Sequence, residues 1–190
     1  SLGSNSFFKN ILKVDPGEII IFDNKSKKVK KEFFKSNFNN NDLNYDYLSS
    51  NISKSFIAET PLGLLLSGGL DSNILLYEYL ANIPKNKINT FSTSFIKVDP
   101  KYNEDSYLAN KVAKDYGVNH HNLEISFEKF KDSYEESYSV LYEPKLNKST
   151  TIYYLMMEYL KKNNFKAIIS GDGSDEMFLG YNKHIFLKKL

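Results

Sequence analysis

Short apolar runs alternate with amphipathic stretches over most of the chain. Four runs are short and rich in apolar or β-branched residues, as buried strands are: 62–66, 89–95, 121–125 and 166–169. Three stretches between them repeat apolar residues at helical spacing: 73–82, 104–116 and 149–162. This alternation predicts an α/β fold in which a doubly wound parallel sheet has flanking helices.

The segment from Phe127 to Leu141 has a different pattern. Aromatic and apolar residues recur there every three or four positions: Phe127, Phe130, Tyr134, Tyr138 and Leu141. This spacing predicts one helix whose stripe packs in the core. A stripe of this kind is more often core than a cofactor site, so we assign it no function.

The chain before residue 42 lacks the alternation of strands and helices. Residues 7–34 predict a short β-hairpin segment, with a turn at Pro16-Gly17, a strand at 19–22 and a second turn at 23–26. Lysines surround the second turn, and we interpret them as a solvated face.

A polar linker is indicated by four asparagines within residues 36–42. Beyond it, apolar residues at helical spacing predict a helix that ends before Pro61: Leu43, Tyr47, Ile52 and Phe56. We therefore expect residues 1–41 and 42–190 to form separate parts.

Composition narrows the classes of function. The chain has 190 residues and a formal net charge of +2, so its charge indicates neither a nucleic acid nor a membrane as a partner. It contains no cysteine, which excludes disulfides, thiolate metal sites and thiol nucleophiles. No stretch is apolar enough to span a bilayer, and we expect a cytoplasmic protein.

The most informative segment is a glycine-rich loop at residues 67–72, the first loop, with the sequence SGGLDS. It follows an apolar strand and opens a helix, so its backbone N–H groups are suited to binding phosphate. Asp71 would repel a phosphate unless a divalent cation such as Mg²⁺ lies between them. The alternative is an ordinary strand–turn–helix connection with two glycines.

A second glycine-rich loop at residues 170–176, the second loop, has the sequence SGDGSDE. Three carboxylates crowded into it favour a shared cation or proton. An EF-hand calcium loop does not fit, because Met177 stands where that motif needs glycine and Lys183 where it needs glutamate. A solvated acidic turn remains the alternative. In a parallel sheet, both loops would lie at the same edge.

Histidines offer a weaker signal. His120 and His121 are adjacent on an extended segment, so their side chains point to opposite sides and we expect structural roles. His184 is close to the second loop in sequence, and a surface position is the default.

Three blocks of sequence together resemble the synthetase domain of the B-type, glutamine-dependent asparagine synthetases. They comprise 64–72, then parts of 90–121, then 169–181. The first loop alone indicates only the PP-loop ATP pyrophosphatase superfamily, with its adenine nucleotide alpha hydrolase-like fold. The third block is specific to the asparagine synthetase and β-lactam synthetase branch. The resemblance covers roughly residues 60–185.

This resemblance implies ATP and Mg²⁺ as cofactors and assigns roles to residues. The nucleotide would be held by Leu66, Ser67, Gly68, Gly69, Asp71, Ser72, Thr93, Ser94, Phe95, Ser170 and Gly171. Asp71 and Asp175 would bind Mg²⁺. Asp172 would act catalytically by deprotonating ammonium or an amine, and Glu176 would support the second loop. Ser94 and Leu179 depart from the family pattern, which often has glycine at both positions.

The implied reaction is ATP-dependent amide formation. The side-chain carboxylate of aspartate, or another carboxylate, would become an acyl-adenylate with release of pyrophosphate, and ammonia derived from glutamine would attack it. A related amidotransferase, a β-lactam synthetase-like enzyme and a nucleotide-binding homologue without turnover remain alternatives. A homodimer is one further alternative for its assembly.

The resemblance also implies a longer protein. Residues 1–41 would be the tail of a glutaminase-type domain whose body and cysteine nucleophile are absent from this chain. The synthetase domain would continue past Leu190, so we expect the chain alone to be inactive.

Overall fold

A computed structural model of the chain describes residues 4–34, 44–141, 147 and 149–181. Two compact units are present: Ser1–Asn44 with Leu141–Leu146, and Tyr45–Val140 with Asn147–Leu190. The predicted linker, the predicted boundary after residue 41 and His184 lie outside the described residues.

The smaller unit contains the predicted hairpin. Strands β1 (Glu18–Asp23) and β2 (Lys28–Phe33) pair antiparallel. Asp23 closes their turn, because its carboxylate accepts hydrogen bonds from the backbone N–H groups of Lys25 and Ser26.

The larger unit contains a four-stranded parallel sheet in the order β5-β4-β3-β6. Its strands are β3 (Leu62–Leu65), β4 (Asn89–Phe95), β5 (Asn119–Ile125) and β6 (Ala167–Ile169). The described helices of this unit are α1 (Tyr45–Ser55), α2 (Leu70–Asn82), α3 (Glu104–Tyr116), α4 (Phe127–Asp132), α5 (Tyr134–Ser139), α6 (Thr150–Lys162) and α7 (Ser174–Phe178). This arrangement confirms the predicted α/β fold.

The strand order creates a crevice at one edge of the sheet. The chain enters at β3, continues outward through β4 and β5, and then returns to add β6 on the other side of β3. The connection from β3 to β4 passes over one face of the sheet through α2, whereas the connection from β5 to β6 passes over the other face through α6. Open α/β sheets bind ligands in the crevice at such a switch point.

Helices cover both faces of the sheet, with a separate apolar cluster under each. One cluster joins Leu64 of β3 to Leu76 of α2 and Ala109 of α3. The other joins Phe91 of β4 to Leu155 of α6. These side chains are almost completely buried, so helices shield both faces of the parallel sheet from water.

Helix α1 is attached to α2 through a buried carboxylate. Glu78 is only 3% exposed, and it accepts hydrogen bonds from Tyr45 Oη at 2.6 Å and Ser49 Oγ at 2.7 Å. The hydrogen bond to Glu78 raises the pKa of Tyr45 to about 12, so the phenol remains a donor at neutral pH. Two hydroxyl donors compensate for the loss of water around Glu78.

The structure corrects the prediction of one long helix from Phe127 onward. The chain forms two short helices instead, α4 and α5, which meet at Ser133. Phe130 packs against a core cluster, whereas Phe127 is 73% exposed, so the aromatic stripe is only partly core. Helical spacing cannot reveal this break, because the stripe residues keep contact across it: the rings of Phe130 in α4 and Tyr134 in α5 lie 6.2 Å apart.

Candidate functional site

A cavity of about 450 Å³ opens at the switch point, at the carboxyl ends of β3, β4 and β6. Most of the predicted site residues line it: Leu66, Ser67, Gly69, Asp71, Ser72, Thr93, Phe95, Ser170, Gly171, Asp172 and Asp175. Gly68, Ser94 and Glu176 do not line it. Both loops thus meet at one edge of the sheet, as the sequence predicts.

The first loop is shaped by its own hydroxyl groups. Ser72 Oγ donates to the Gly69 carbonyl at 3.0 Å and accepts from the Ser67 N–H at 3.3 Å. Ser67 Oγ in turn accepts from the Gly69 N–H at 3.2 Å. Ser72 is only 4% exposed, and the two hydrogen bonds of its hydroxyl stabilise the turn.

Helix α2 begins inside this loop, at Leu70 rather than at residue 73 as predicted. Gly69 is extended, with φ −72° and ψ 166°, and serves as the N-cap. Asp71 therefore lies in the first helical turn, where backbone N–H groups lack intrahelical partners. This geometry adds the N-terminus of a 13-residue helix to the cavity wall.

Asn73 is a loop residue that the sequence analysis missed. Its Nδ2 donates to the carbonyls of Gly68 at 2.8 Å and Gly69 at 2.9 Å. These bonds turn both carbonyls toward the helix and away from an incoming anion. An asparagine one residue beyond the loop has no distinctive spacing, so only the fold reveals its contribution.

Gly68 brings the first loop against α3. It has φ +76°, and a Cβ placed on it would lie 2.5 Å from Leu108 Cβ and 3.0 Å from Ala109 N. Only a residue without a side chain fits a left-handed conformation at such close approach. The loop is therefore supported from behind by the backbone of α3.

The second loop contacts the first directly. A Cβ placed on Gly171 would lie 3.1 Å from Asp71 Cβ and 3.5 Å from Ser72 N. This close contact between the two loops explains how carboxylates more than a hundred residues apart in sequence come to line one cavity.

Asp172 is held by two hydroxyl groups. Ser170 Oγ donates to its Oδ2 at 2.9 Å, and Tyr153 Oη donates to its carboxylate at 3.3 Å. Burial and the Asp172 carboxylate raise the pKa of Tyr153, so the phenol stays protonated and remains a donor at neutral pH. Tyr153 comes from α6 and lines the cavity, and sequence reasoning did not select it.

Helix α7 orients the remaining acidic residues. Gly180 leaves room for the Asp175 carboxylate, because a Cβ there would collide with Asp175 Oδ1. Tyr181 Oη donates to Glu176 Oε1 at 2.7 Å, so the Glu176 carboxylate is tied to the segment that follows α7. Leu179 caps α7 with φ 59°, a left-handed conformation that glycine adopts without strain.

The end of β4 forms the opposite wall. Thr93 and Phe95 line the cavity, whereas the Ser94 hydroxyl accepts a hydrogen bond from Asn122 Nδ2 at 2.7 Å. The departure from glycine at Ser94 therefore adds a contact between β4 and β5. Ser92, which sequence reasoning also missed, lines the cavity and lies 3.1 Å from His120 Nε2.

Both histidines of β5 have partners within the sheet. His120 Nδ1 lies 2.9 Å from Thr90 Oγ1, and His121 stacks on Phe91 with ring centroids 4.9 Å apart. These contacts agree with the structural roles that the sequence predicts for both residues.

The free energy of unfolding is expected to fall as the pH is lowered below 6.5. Burial, with a smaller contribution from His121, lowers the pKa of His120 from its ordinary value of 6.5. The unfolded chain then binds a proton that the folded chain resists, so stability is complete above pH 6.5 and declines below it. Urea unfolding at several pH values checks this, and His120→Gln should flatten the dependence. An unchanged slope in that variant would contradict the assignment.

The charges of the cavity suit a cation. Its described lining includes no lysine, arginine or histidine. It does include four carboxylates: Asp71, Asp105, Asp172 and Asp175. No group of three or more His, Cys, Asp or Glu in the described ranges could hold a metal ion alone. Mg²⁺ usually binds through one or two carboxylates, water and phosphate oxygens, so the donor set fits Mg²⁺ that arrives with a nucleotide.

Helices of the described residues are all too short or too polar to cross a membrane.

The fold and the site together define an α/β protein with a glycine-rich first loop and an acidic second loop at its switch point. The asparagine synthase family matches residues 45–189, and the chain belongs to this family. This match confirms the resemblance inferred from the sequence blocks.

Individual relatives are similar over part of their length. Asparagine synthetase [glutamine-hydrolyzing] 3 of Arabidopsis thaliana is 32% identical over 143 residues, which cover 68% of this chain and 23% of that protein. The putative asparagine synthetase [glutamine-hydrolyzing] 2 of Methanocaldococcus jannaschii is 29% identical, over 97% of this chain and 38% of that protein. The chain thus spans well under half of these relatives.

Among solved structures, a glutamine-dependent NAD+ synthetase from Acinetobacter baumannii in complex with ADP is similar, with a TM-score of 0.49 and 17% identity. The similarity covers 85% of this chain and 31% of that chain.

Proposed function

We propose that this chain is the ATP-binding part of an amide-forming ligase that activates the side-chain carboxylate of aspartate. A carboxylate oxygen attacks the α-phosphorus of ATP, and the bond from that phosphorus to the bridging oxygen breaks. The products are an acyl-adenylate and pyrophosphate. Ammonia then attacks the acyl carbon, and AMP leaves. The observation that carries this proposal is the meeting of both loops in one cavity at the switch point.

The first loop would hold the pyrophosphate group. Its carbonyls are turned toward Asn73 and Ser72, so N–H groups at the start of α2 are left for anionic oxygens. Asp71 and Asp175 would hold Mg²⁺, which offsets negative charge on the phosphates. Gly180 supports this role because it leaves space for the Asp175 carboxylate.

Asp172 would accept the proton that ammonium loses before it attacks. The hydrogen bonds from Ser170 and Tyr153 hold its carboxylate in one orientation. Both partners donate to the carboxylate, so its oxygens are presented to the cavity as acceptors in a fixed position. The adenine ring would lie against Thr93 and Phe95.

A second candidate acceptor follows from the charges of the cavity. Aspartate carries a second carboxylate, which would need a cation, and the described lining offers none. These charges favour, as the second candidate, an amino acid with a single carboxylate. Pyrophosphate release measured with aspartate and with an amino acid that has one carboxylate distinguishes the two candidates.

Replacing Asp172 with asparagine is expected to slow amide formation by roughly a hundredfold or more, because the base is lost while its shape is kept. ATP affinity should change little. Pyrophosphate release and amide formation by the full-length protein check this prediction, with calorimetry for ATP affinity.

Asp172→Glu is the matched control, since it keeps the carboxylate and should retain much of the activity. Amide formation at the wild-type rate in Asp172→Asn would show that another group takes the proton. Failure of the wild type to release pyrophosphate with any carboxylate would overturn the proposed reaction.

A further inference from the structure

Among the described residues, no strand pairs with the β3-facing edge of β4 beyond Phe91. The last pairing of β3 with β4 is Leu65 with Phe91, and the Leu66 N–H donates to the Phe91 carbonyl at 2.8 Å. The chain then leaves the sheet to form the first loop. This gap exposes backbone groups of β4 next to the cavity.

The backbone N–H and carbonyl groups of successive residues in β4 point alternately toward β5 and toward β3, which identifies the exposed groups. Ile88 and Ile96 form hydrogen bonds with β5, through the Asn119 N–H and the Ile125 carbonyl. Even-numbered residues therefore face β5, and the N–H and carbonyl groups of Thr93 and Phe95 face the gap.

The side chain of Asn103 binds the backbone of Phe95, the second of these two residues. Its Oδ1 accepts from the Phe95 N–H at 2.8 Å, and its Nδ2 donates to the Phe95 carbonyl at 2.9 Å. The side-chain amide thus replaces a missing strand at Phe95. Only one orientation of the amide satisfies both bonds.

This contact replaces a helix cap. Asn103 is the N-cap residue of α3, where an asparagine side chain usually accepts from its own helix, but it makes no such bond. Its backbone stays fixed by the Ser106 hydroxyl, which donates to the Asn103 carbonyl at 2.9 Å. The side chain is therefore committed to β4 rather than to α3.

We propose that Asn103 is a positioning residue for the nucleotide base: it closes the edge of β4 at Phe95 and leaves the Thr93 amide as the open donor–acceptor pair. One N–H beside one carbonyl matches a heterocycle with an adjacent acceptor and amino donor, as adenine has at N1 and N6. This inference rests on the proposed nucleotide site and assigns the base-binding geometry to a residue outside the cavity lining.

The test uses Asn103→Ser, whose hydroxyl is suited to capping α3 but is too short to bridge both groups of Phe95. Its affinity for ATP should fall about tenfold, whereas its affinity for inorganic tripolyphosphate should stay within about twofold, since the first loop is untouched. Asn103→Asp keeps the bond to the Phe95 N–H, so its affinity for ATP should lie between those of the wild type and Asn103→Ser. In the ligand-free protein, hydrogen exchange at the Phe95 N–H should accelerate in Asn103→Ser and not at Phe91.

Equal weakening of ATP and tripolyphosphate, or unchanged ATP affinity, would overturn the role of Asn103 while the nucleotide site stands. Unchanged exchange at Phe95 would overturn the geometry itself. A wild-type protein that does not bind ATP would overturn the proposed function, and this inference with it.

Discussion

Replacing Asp71 with asparagine is expected to lower the affinity for ATP in the presence of Mg²⁺ by roughly a hundredfold. The amide has the shape of the carboxylate but not its charge, so a divalent cation between Asp71 and the phosphates loses an anionic ligand. In the absence of Mg²⁺ the effect should disappear or reverse, because a carboxylate beside phosphates repels them. Calorimetric titration of ATP, once with Mg²⁺ and once with a chelator, measures the change in affinity under both conditions.

Asp115→Asn provides the control, since Asp115 is an exposed carboxylate on α3 that does not line the cavity. It removes the same charge and should leave both titrations unchanged. A loss of affinity in Asp71→Asn that is equal with and without Mg²⁺ would contradict a metal-binding role. It would indicate instead that Asp71 supports the start of α2.

The first loop could be predicted from sequence because its determinants are local. A buried strand, two glycines and a helix start lie within about twenty residues, and together they specify a turn that exposes N–H groups. The same holds for the second loop. Their meeting follows from one further rule, that parallel strands align their carboxyl ends.

Residues that hold the site in shape could not be predicted in this way. Tyr153 reaches Asp172 from a helix on one face of the sheet, and Asn103 reaches Phe95 across a loop. Each contact depends on where the fold places an ordinary polar residue, which periodicity does not reveal. The break between α4 and α5 was missed for the same reason, because the aromatic spacing continues through it.

Replacing Gly68 with alanine is expected to lower the free energy of unfolding by about 2–5 kcal/mol and to abolish measurable ATP binding. Two costs add: the left-handed backbone, and a Cβ that overlaps Leu108 and Ala109. Part of that overlap is with the backbone of α3, so no rotamer change relieves it. The loop must move away from α3, and the N–H groups of the turn then lose their arrangement. Urea unfolding and calorimetry with ATP measure the two effects.

Gly117 provides the matched control because it separates the two costs. It has φ +70°, ends α3, and has nothing within 4 Å of a Cβ placed on it. Gly117→Ala should therefore cost only about 1 kcal/mol, the conformational part, and should leave ATP binding intact. The difference between the variants measures the close approach of the first loop to α3. Equal costs in both would mean that the loop can retreat freely, and that the backbone of α3 does not support the site.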